Sequence, residues 1–169
     1  MTIVVTASSL VKTSFNFTET QSGTIRSENE SLTANRAYTY GTGNFEIDAA
    51  IKSTGVLPSG GSVVLNLNAM TNESFGITST VAFSGIRTVT VYNTSTVQNR
   101  DINIRATGSN AFTNLFNGGS GNLLIKPYSS FTYNDPYKLA ISSTQKNISL
   151  FDVSGSGATY EICILGNLT

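Results

Sequence analysis

The sequence contains no His and no Trp, a single Cys (Cys163), and only ten basic and ten acidic side chains among its 169 residues. Without His, both the usual general base near neutral pH and the commonest metal ligand are missing. One cysteine can form neither an intrachain disulfide nor a thiolate metal cluster. We therefore expect a protein that is not an enzyme and that needs no metal and no cofactor.

Net positive charge and long apolar runs are missing as well. The formal net charge is zero, so the electrostatic attraction that supplies most nucleic-acid affinity is absent. Apolar runs such as residues 3–5 and 63–65 are far shorter than the roughly 20 residues of a membrane helix. The first ten residues lack the basic start and the apolar stretch of a secretory signal. We expect no nucleic-acid partner, no membrane partner and synthesis in a reducing compartment.

What is abundant is Ser, Thr and Asn, which make up 62 of the 169 residues. They alternate with β-branched and aromatic residues in short segments separated by Gly, a pattern typical of strands. Phe45, Ile47, Ala49 and Ile51, for example, are predicted to share one strand face. About ten such segments, with turn residues about every ten positions, predict an all-β antiparallel sandwich or jelly roll.

One stretch predicts a helix, over residues 109–117. Phe112, Leu115 and Phe116 have the spacing of a helical face, Ser109 is the candidate N-cap, and Gly118 would end the helix. We expect at most two turns there.

The first 44 residues differ from the rest of the chain. Val11, Thr13, Phe15 and Phe17 alternate as a strand does, but residues 18–44 are polar with few apolar anchors. Two arrangements remain open: an arm or extended hairpin that reaches a neighbouring subunit, or edge strands and loops of the same sandwich. We divide the chain into N-terminal strands or arm (1–44) and sandwich core (45–169), within one domain.

No set of residues predicts catalysis. Glu46 and Asp48 are two apart on a predicted strand, as a glycosidase pair would require, but the solvated face of any amphipathic strand has the same pattern. Cys163 has no basic neighbour in sequence and reads as a small, partly buried apolar residue. Asp152, at the end of an apolar run, reads as a strand-end residue.

Four aromatic residues lie close to the second and third of the chain's three prolines. Tyr128, Phe131, Tyr133 and Tyr137 lie close together in the sequence, beside Pro127 and Pro136. Tyrosines can stack on sugars, but sandwich cores and protein interfaces also use them, and the absence of Trp weighs against a dedicated carbohydrate-binding module. We treat glycan binding as the less favoured interpretation of this cluster.

Five segments of the chain, taken in order, carry a resemblance to a known family. They are GVLPSGGSVVLNL from residue 55, FGITSTVAFSGIRTVTVYNTS from residue 75, SNAFTNLF from residue 109, LLIKPYSSF from residue 123 and SGSGATYEICILG from residue 154. Over residues 55–166 the chain resembles small tailed-bacteriophage virion proteins of the capsid cement or decoration type. That family has Pro-Gly-Gly where this chain has Pro127-Tyr128-Ser129, so we expect a reshaped turn there. Residues 1–44 match least.

The resemblance implies a virion structural protein assembled in the host cytoplasm. Such a protein sits as a homotrimer on the outer surface of a phage head, binds the major capsid protein, and stabilises the contacts between capsid subunits. We expect contacts from the N-terminal arm and from the aromatic segment, through Ile3, Val5, Phe15, Phe17, Tyr128, Phe131, Tyr133 and Tyr137. The alternative is a head-fibre, tail or receptor-binding sandwich module that recognises a glycan.

Overall fold

The computed structural model describes residues 7–21, 24–74, 77–119 and 121–169, with side chains at 38, 39, 41–71, 78, 80–119 and 121–169. Within these ranges the chain forms thirteen strands and one 3₁₀-helix, Thr113–Phe116. The strands are β1 (Ala7–Gln21), β2 (Thr24–Tyr40), β3 (Glu46–Ile47), β4 (Ala49–Leu57), β5 (Ser62–Asn66), β6 (Met70–Ser74), β7 (Ile77–Val81), β8 (Phe83–Asn93), β9 (Ile102–Arg105), β10 (Asn122–Ile125), β11 (Ser130–Ala140), β12 (Asn147–Asp152) and β13 (Ala158–Leu168).

Eight of these strands form two four-stranded antiparallel sheets, with the strand orders β10-β9-β12-β5 and β11-β8-β13-β4. The connections from β4 to β5, from β8 to β9, from β10 to β11 and from β12 to β13 all cross from one sheet to the other. Repeated crossing between two packed antiparallel sheets is the arrangement of a jelly roll. The predicted all-β antiparallel sandwich is confirmed.

The core lies between the two sheets and follows from the alternation of apolar residues along the strands. One sheet contributes Val89, Val91 and Ile162, and the other contributes Ile104 and Leu150, all of them buried. Complete burial of a side chain of this kind stabilises the fold by about 1.5–3 kcal/mol. Among the described residues, no helix is long or apolar enough to cross a membrane.

Two local predictions need correction. Phe45 does not continue the strand face of Ile47, Ala49 and Ile51: its φ is 59°, it is 45% exposed, and it lies in a turn before β3. Of the other three residues predicted on that face, Ala49 and Ile51 are buried in the main core, whereas Ile47 lies on β3 and is buried in a separate cluster with Tyr38 and Leu165. Phe45 is the first apolar residue after Gly41-Thr42-Gly43-Asn44, and the chain has not yet left the turn that these residues make.

The helix predicted over residues 109–117 is a single 3₁₀ turn rather than an α-helix. Its N-cap position is taken by Phe112, with no side-chain cap, rather than by Ser109. Asn117 adopts the left-handed conformation that ends it, one residue before the predicted Gly118. Phe112 and Leu115 are nevertheless buried, as members of the main core.

The segment before the sandwich forms a long hairpin, which we call the ribbon. Strands β1 and β2 pair antiparallel from Ala7↔Tyr38 to Gln21↔Thr24, and β2 continues into a short parallel pairing with β3. In the part of the chain that the structure describes, the ribbon pairs with no other strand. Strand pairing therefore connects it to the rest of the molecule only at its base.

Candidate functional site

The two faces of the ribbon differ in composition. By its register, one face carries Val11, Phe15 and Phe17 from β1, and Ala34, Glu30 and Glu28 lie opposite them on β2. The opposite face of β1 carries mainly Ser, Thr, Asn and Lys, with Leu10 as its one large apolar residue. Fifteen paired residues at about 3.4 Å each give the ribbon a length of about 50 Å. It is thus a long two-stranded sheet whose first strand is amphipathic.

The base of the ribbon packs against the sandwich through Tyr38, which is only 2% exposed. Tyr38 forms a small second core with Ile47 and Leu165, and Cys163 packs against it. Its hydroxyl lies 3.0 Å from the Thr88 hydroxyl of β8. Burial raises the pKa of the Cys163 thiol, as the nearby Glu161 also does, while Lys52 opposes them.

A buried arginine holds the loop that leads into β3. Arg87 of β8 is 1% exposed, and its guanidinium donates to the carbonyl oxygens of Gly43 at 2.6 Å, of Glu46 at 3.3 Å and of Pro136. The fork of donors on an arginine allows three carbonyl groups to be bound at once. Arg87 therefore joins the ribbon base to β11, at the irregular stretch between Asn134 and Leu139 where the pairing with β8 shifts register.

The carboxylates of the candidate catalytic pair have structural partners. Glu46 accepts a hydrogen bond from the Gly43 amide at 2.6 Å, and Asp48 accepts one from the Leu168 amide at 2.7 Å. Each one caps the backbone of a different segment. Among the described residues, no group of three or more His, Cys, Asp and Glu residues could hold a metal ion.

The structure separates the four aromatic residues predicted to form one exposed cluster. Phe131 and Tyr133 lie on β11 and pack against the core, so most of that segment is a strand rather than a loop. Tyr128 and Tyr137 are 63% and 71% exposed. The desolvation of the Tyr133 hydroxyl and the nearby Asp135 carboxylate raise the pKa of Tyr133.

The N-terminal residues of the predicted contact set are either not described by the structure or described only as backbone. Ile3 and Val5 are outside the described residues, and Phe15 and Phe17 are described only as backbone positions of β1. Their role as contact residues stays a prediction.

The sequence did not predict a cleft that lies at one end of the sandwich, where loops run from one sheet to the other. The cleft encloses about 430 Å³. Its walls are Thr96, Gln98, Asn99 and Asp101, from the loop between β8 and β9, and residues 126–128, from the turn between β10 and β11. Lys126 forms an ion pair with Asp101, with 2.6 Å between Nζ and Oδ2.

Tyr128 stands at the edge of this cleft on a tight turn. The Ser129 amide donates to the Lys126 carbonyl oxygen at 3.0 Å, Pro127 follows Lys126, and the φ of Tyr128 is 59°. Pro at the second position and a positive φ at the third define a type II turn, which favours Gly at that third position. The turn is docked, because the Tyr128 and Ser129 backbones both bond to Asn93.

Asp152 organises the neighbouring loops at the same end of the sandwich. Its carboxylate accepts from the amides of Gly60 and Gly157 at 2.8 Å each, from the Ser154 amide at 2.9 Å, and from the Ser154 hydroxyl. Burial opposes ionisation, but these four donors outweigh it and lower the pKa of Asp152 to about 2. One carboxylate therefore joins the β4–β5 turn to the β12–β13 loop.

The described part of the chain is thus an all-β antiparallel sandwich that carries a β-ribbon at its base and a polar cleft among its crossing loops. None of the protein-family models and none of the curated proteins compared with the chain match it. Among solved structures, it is similar to the Yersinia pseudotuberculosis-derived mitogen, with 15% identity and a TM-score of 0.36, over 70% of this chain and 86% of the mitogen chain. A likeness at that level carries no inference about function.

Proposed function

We propose that this chain is a virion structural protein of the capsid cement or decoration type. In this proposal the ribbon binds the major capsid protein on the outer surface of a phage head, and the sandwich stays outside. The observation that carries the proposal is the ribbon itself, two strands of 15 and 17 residues that, among the described strands, pair beyond each other only with β3 at their base. The resemblance of residues 55–166 to phage proteins supplies the partner.

The physical reason is that a two-stranded hairpin is marginally stable in water unless it packs against something else. At the base of this ribbon such packing is provided by Tyr38, which lies in a cluster with Ile47 and Leu165. The face that carries Val11, Phe15 and Phe17 of β1 carries Ala34, Glu30 and Glu28 opposite them on β2. Burying the apolar residues of β1 on a second protein would stabilise both the ribbon and the joint that it covers.

The surface composition is compatible with attachment rather than chemistry. Ser, Thr and Asn side chains have few rotatable bonds, so they lose less conformational entropy than Lys or Glu when an interface forms. The outer strands of the two sheets, β4, β5, β10 and β11, have edges that a closed homotrimer would cover. Binding to assembled capsid only would stabilise the shell by mass action.

The test is to mix the purified full chain with heads from which this protein has been deleted. We expect saturable binding and an increase in the temperature at which the heads release their DNA. Light scattering of the free chain should give a mass three times 17.9 kDa if the homotrimer forms before binding.

Paired variants locate the contact on the ribbon. Phe15→Ser with Phe17→Ser should weaken binding to heads, because both aromatic residues lie on the same face of the ribbon. Ser14→Ala with Asn16→Ala changes the opposite face of the same strand and should leave binding unchanged. No binding to heads would overturn the capsid role, while equal binding by both pairs would overturn the role of the ribbon face.

A further inference from the structure

We propose that the cleft beside Tyr128 is a binding site for the terminal sugar of a neutral glycan, with the Tyr128 ring as the stacking surface. This site is independent of the ribbon and of the proposed attachment to heads. Its volume of about 430 Å³ lies in the range of pockets that hold small ligands.

The first reason is the way in which Tyr128 is presented. Its side chain is 63% exposed, although its backbone φ of 59° is one that tyrosine rarely adopts. A non-glycine residue in this conformation is strained, and such strain persists where the surrounding structure holds it. Here the turn is held by backbone bonds to Asn93. The result is a largely exposed aromatic side chain on a backbone turn that hydrogen bonds hold in place.

The second reason is that the polar side chains around the ring have few partners of their own. In the part of the chain that the structure describes, the side chains of Thr96, Gln98 and Asn99 make no hydrogen bond. The Tyr128 hydroxyl lies 3.5 Å from the backbone carbonyl oxygen of Thr96. Asp101 Oδ1 is buried and has no partner either. A hydroxyl and two carboxamides offer both donors and acceptors, as the several hydroxyl groups of a sugar require.

The third reason is that the charges lining the cleft cancel, which favours a neutral polar ligand over an anionic one. Lys126 and Asp101 neutralise each other at 2.6 Å, and no other charged side chain lines the cleft. A phosphate or a carboxylate would meet no net positive charge here. A neutral pyranose, which has an apolar face of C–H groups and an equatorial ring of hydroxyls, fits an aromatic face bordered by amides.

The cleft also lies away from the ribbon base. The ribbon base packs beside Arg87 and Thr88 in the middle of β8, whereas the cleft begins after Asn93, where β8 ends. Ribbon and cleft therefore use different parts of this strand. A protein held through its ribbon base keeps the cleft accessible, so the two kinds of binding do not exclude each other.

The test uses the full chain on an array of neutral and sialylated glycans. The best neutral ligand is then titrated by calorimetry, and methyl β-galactoside and methyl β-N-acetylglucosaminide are examined by saturation-transfer NMR. Saturable binding of neutral glycans, with transfer from the Tyr128 ring, is the expected result. Absence of any glycan binding, or binding of sialylated glycans alone, would overturn the proposal.

The decisive variant is Tyr128→Gly, which removes the ring and also relieves the positive φ. We expect it to weaken glycan binding by about tenfold or more, the change that about 1.4 kcal/mol of lost stacking produces, with a melting temperature no lower than that of the parent. Asn99→Gly, at a residue with a φ of 69°, should weaken binding without backbone strain. Tyr137→Ala is the matched control at a second exposed tyrosine. Glycan binding by Tyr128→Gly within twofold of the parent would rule out this cleft.

Discussion

The carboxylate of Asp152 offers the sharpest test of how the crossing loops are held together. It is 5% exposed and accepts four hydrogen bonds, two on each oxygen, from Gly60, Gly157 and Ser154. In Asp152→Asn one oxygen becomes an NH₂ group. Whichever way the amide turns, at least one backbone N–H then faces a donor instead of an acceptor.

The magnitude follows from the pKa. The four donors lower the pKa of Asp152 from 3.8 to about 2, and a shift of that size corresponds to about 2.5 kcal/mol of stability. Because the folded-state pKa lies below the unfolded one, this contribution is complete above about pH 4 and is lost as the pH falls toward 2. We expect Asp152→Asn to cost about 2–3 kcal/mol at pH 6.

The assay is urea unfolding of parent and variant at pH 6, 4, 3 and 2.5. The difference in unfolding free energy should be largest at pH 6 and should shrink as the pH approaches 2, since all other carboxylates are common to both proteins. Asp48→Asn, at a carboxylate that accepts one amide hydrogen bond from Leu168 near the surface, is the control and should cost less than about 1 kcal/mol. A difference for Asp152→Asn that is small at pH 6, or that does not change with pH, would refute the reasoning.

Three further outcomes follow from buried groups elsewhere in the sandwich. Arg87→Met should lower the unfolding free energy by about 3–5 kcal/mol, measured by urea unfolding, because three carbonyl groups lose their donor; a cost below about 1 kcal/mol would contradict the clamp. The thiol of Cys163 should react with a maleimide at pH 7.5 far more slowly than in the urea-unfolded chain, since burial raises its pKa; equal rates would show an exposed thiol. Gly166→Ala should destabilise the fold strongly, because an added Cβ would lie 2.3 Å from the Gly85 carbonyl oxygen; thermal unfolding of this variant near the parent temperature would show that β8 and β13 can separate there at little cost.

The sequence predicted the strands best where apolar and polar residues alternate strictly. In the C-terminal strand β13 the alternating residues Tyr160, Ile162 and Ile164 are all buried. Alternation failed as a guide at Phe45, which is apolar and has the right spacing but a positive φ. Periodicity reports which residues are suited to a face, but a turn in the backbone decides whether the face continues.

The sequence predicted much less about the candidate sites than about the strands. Tyr128 was singled out as an aromatic beside Pro127, but nothing in the sequence connected it with Gln98 or Asn99, about thirty positions away. Asp152 was read correctly as a strand-end residue, yet its bonds to Gly60 and Gly157 depend on which loops share an end of the sandwich. Loop partners of this kind follow from strand order across two sheets, and local patterns carry little information about that order.

By itself, the sequence determined that this is an all-β sandwich with an amphipathic N-terminal strand and without the residues for His or Cys chemistry. Composition and alternation suffice for this, because both act locally, residue by residue. Only the tertiary structure decided that the N-terminal strands form one ribbon, that Arg87 joins its base to β11, and that a polar cleft opens beside Tyr128. Each of these depends on contacts between segments that are distant in the chain, and such contacts are set by how the sheets pack rather than by any single segment.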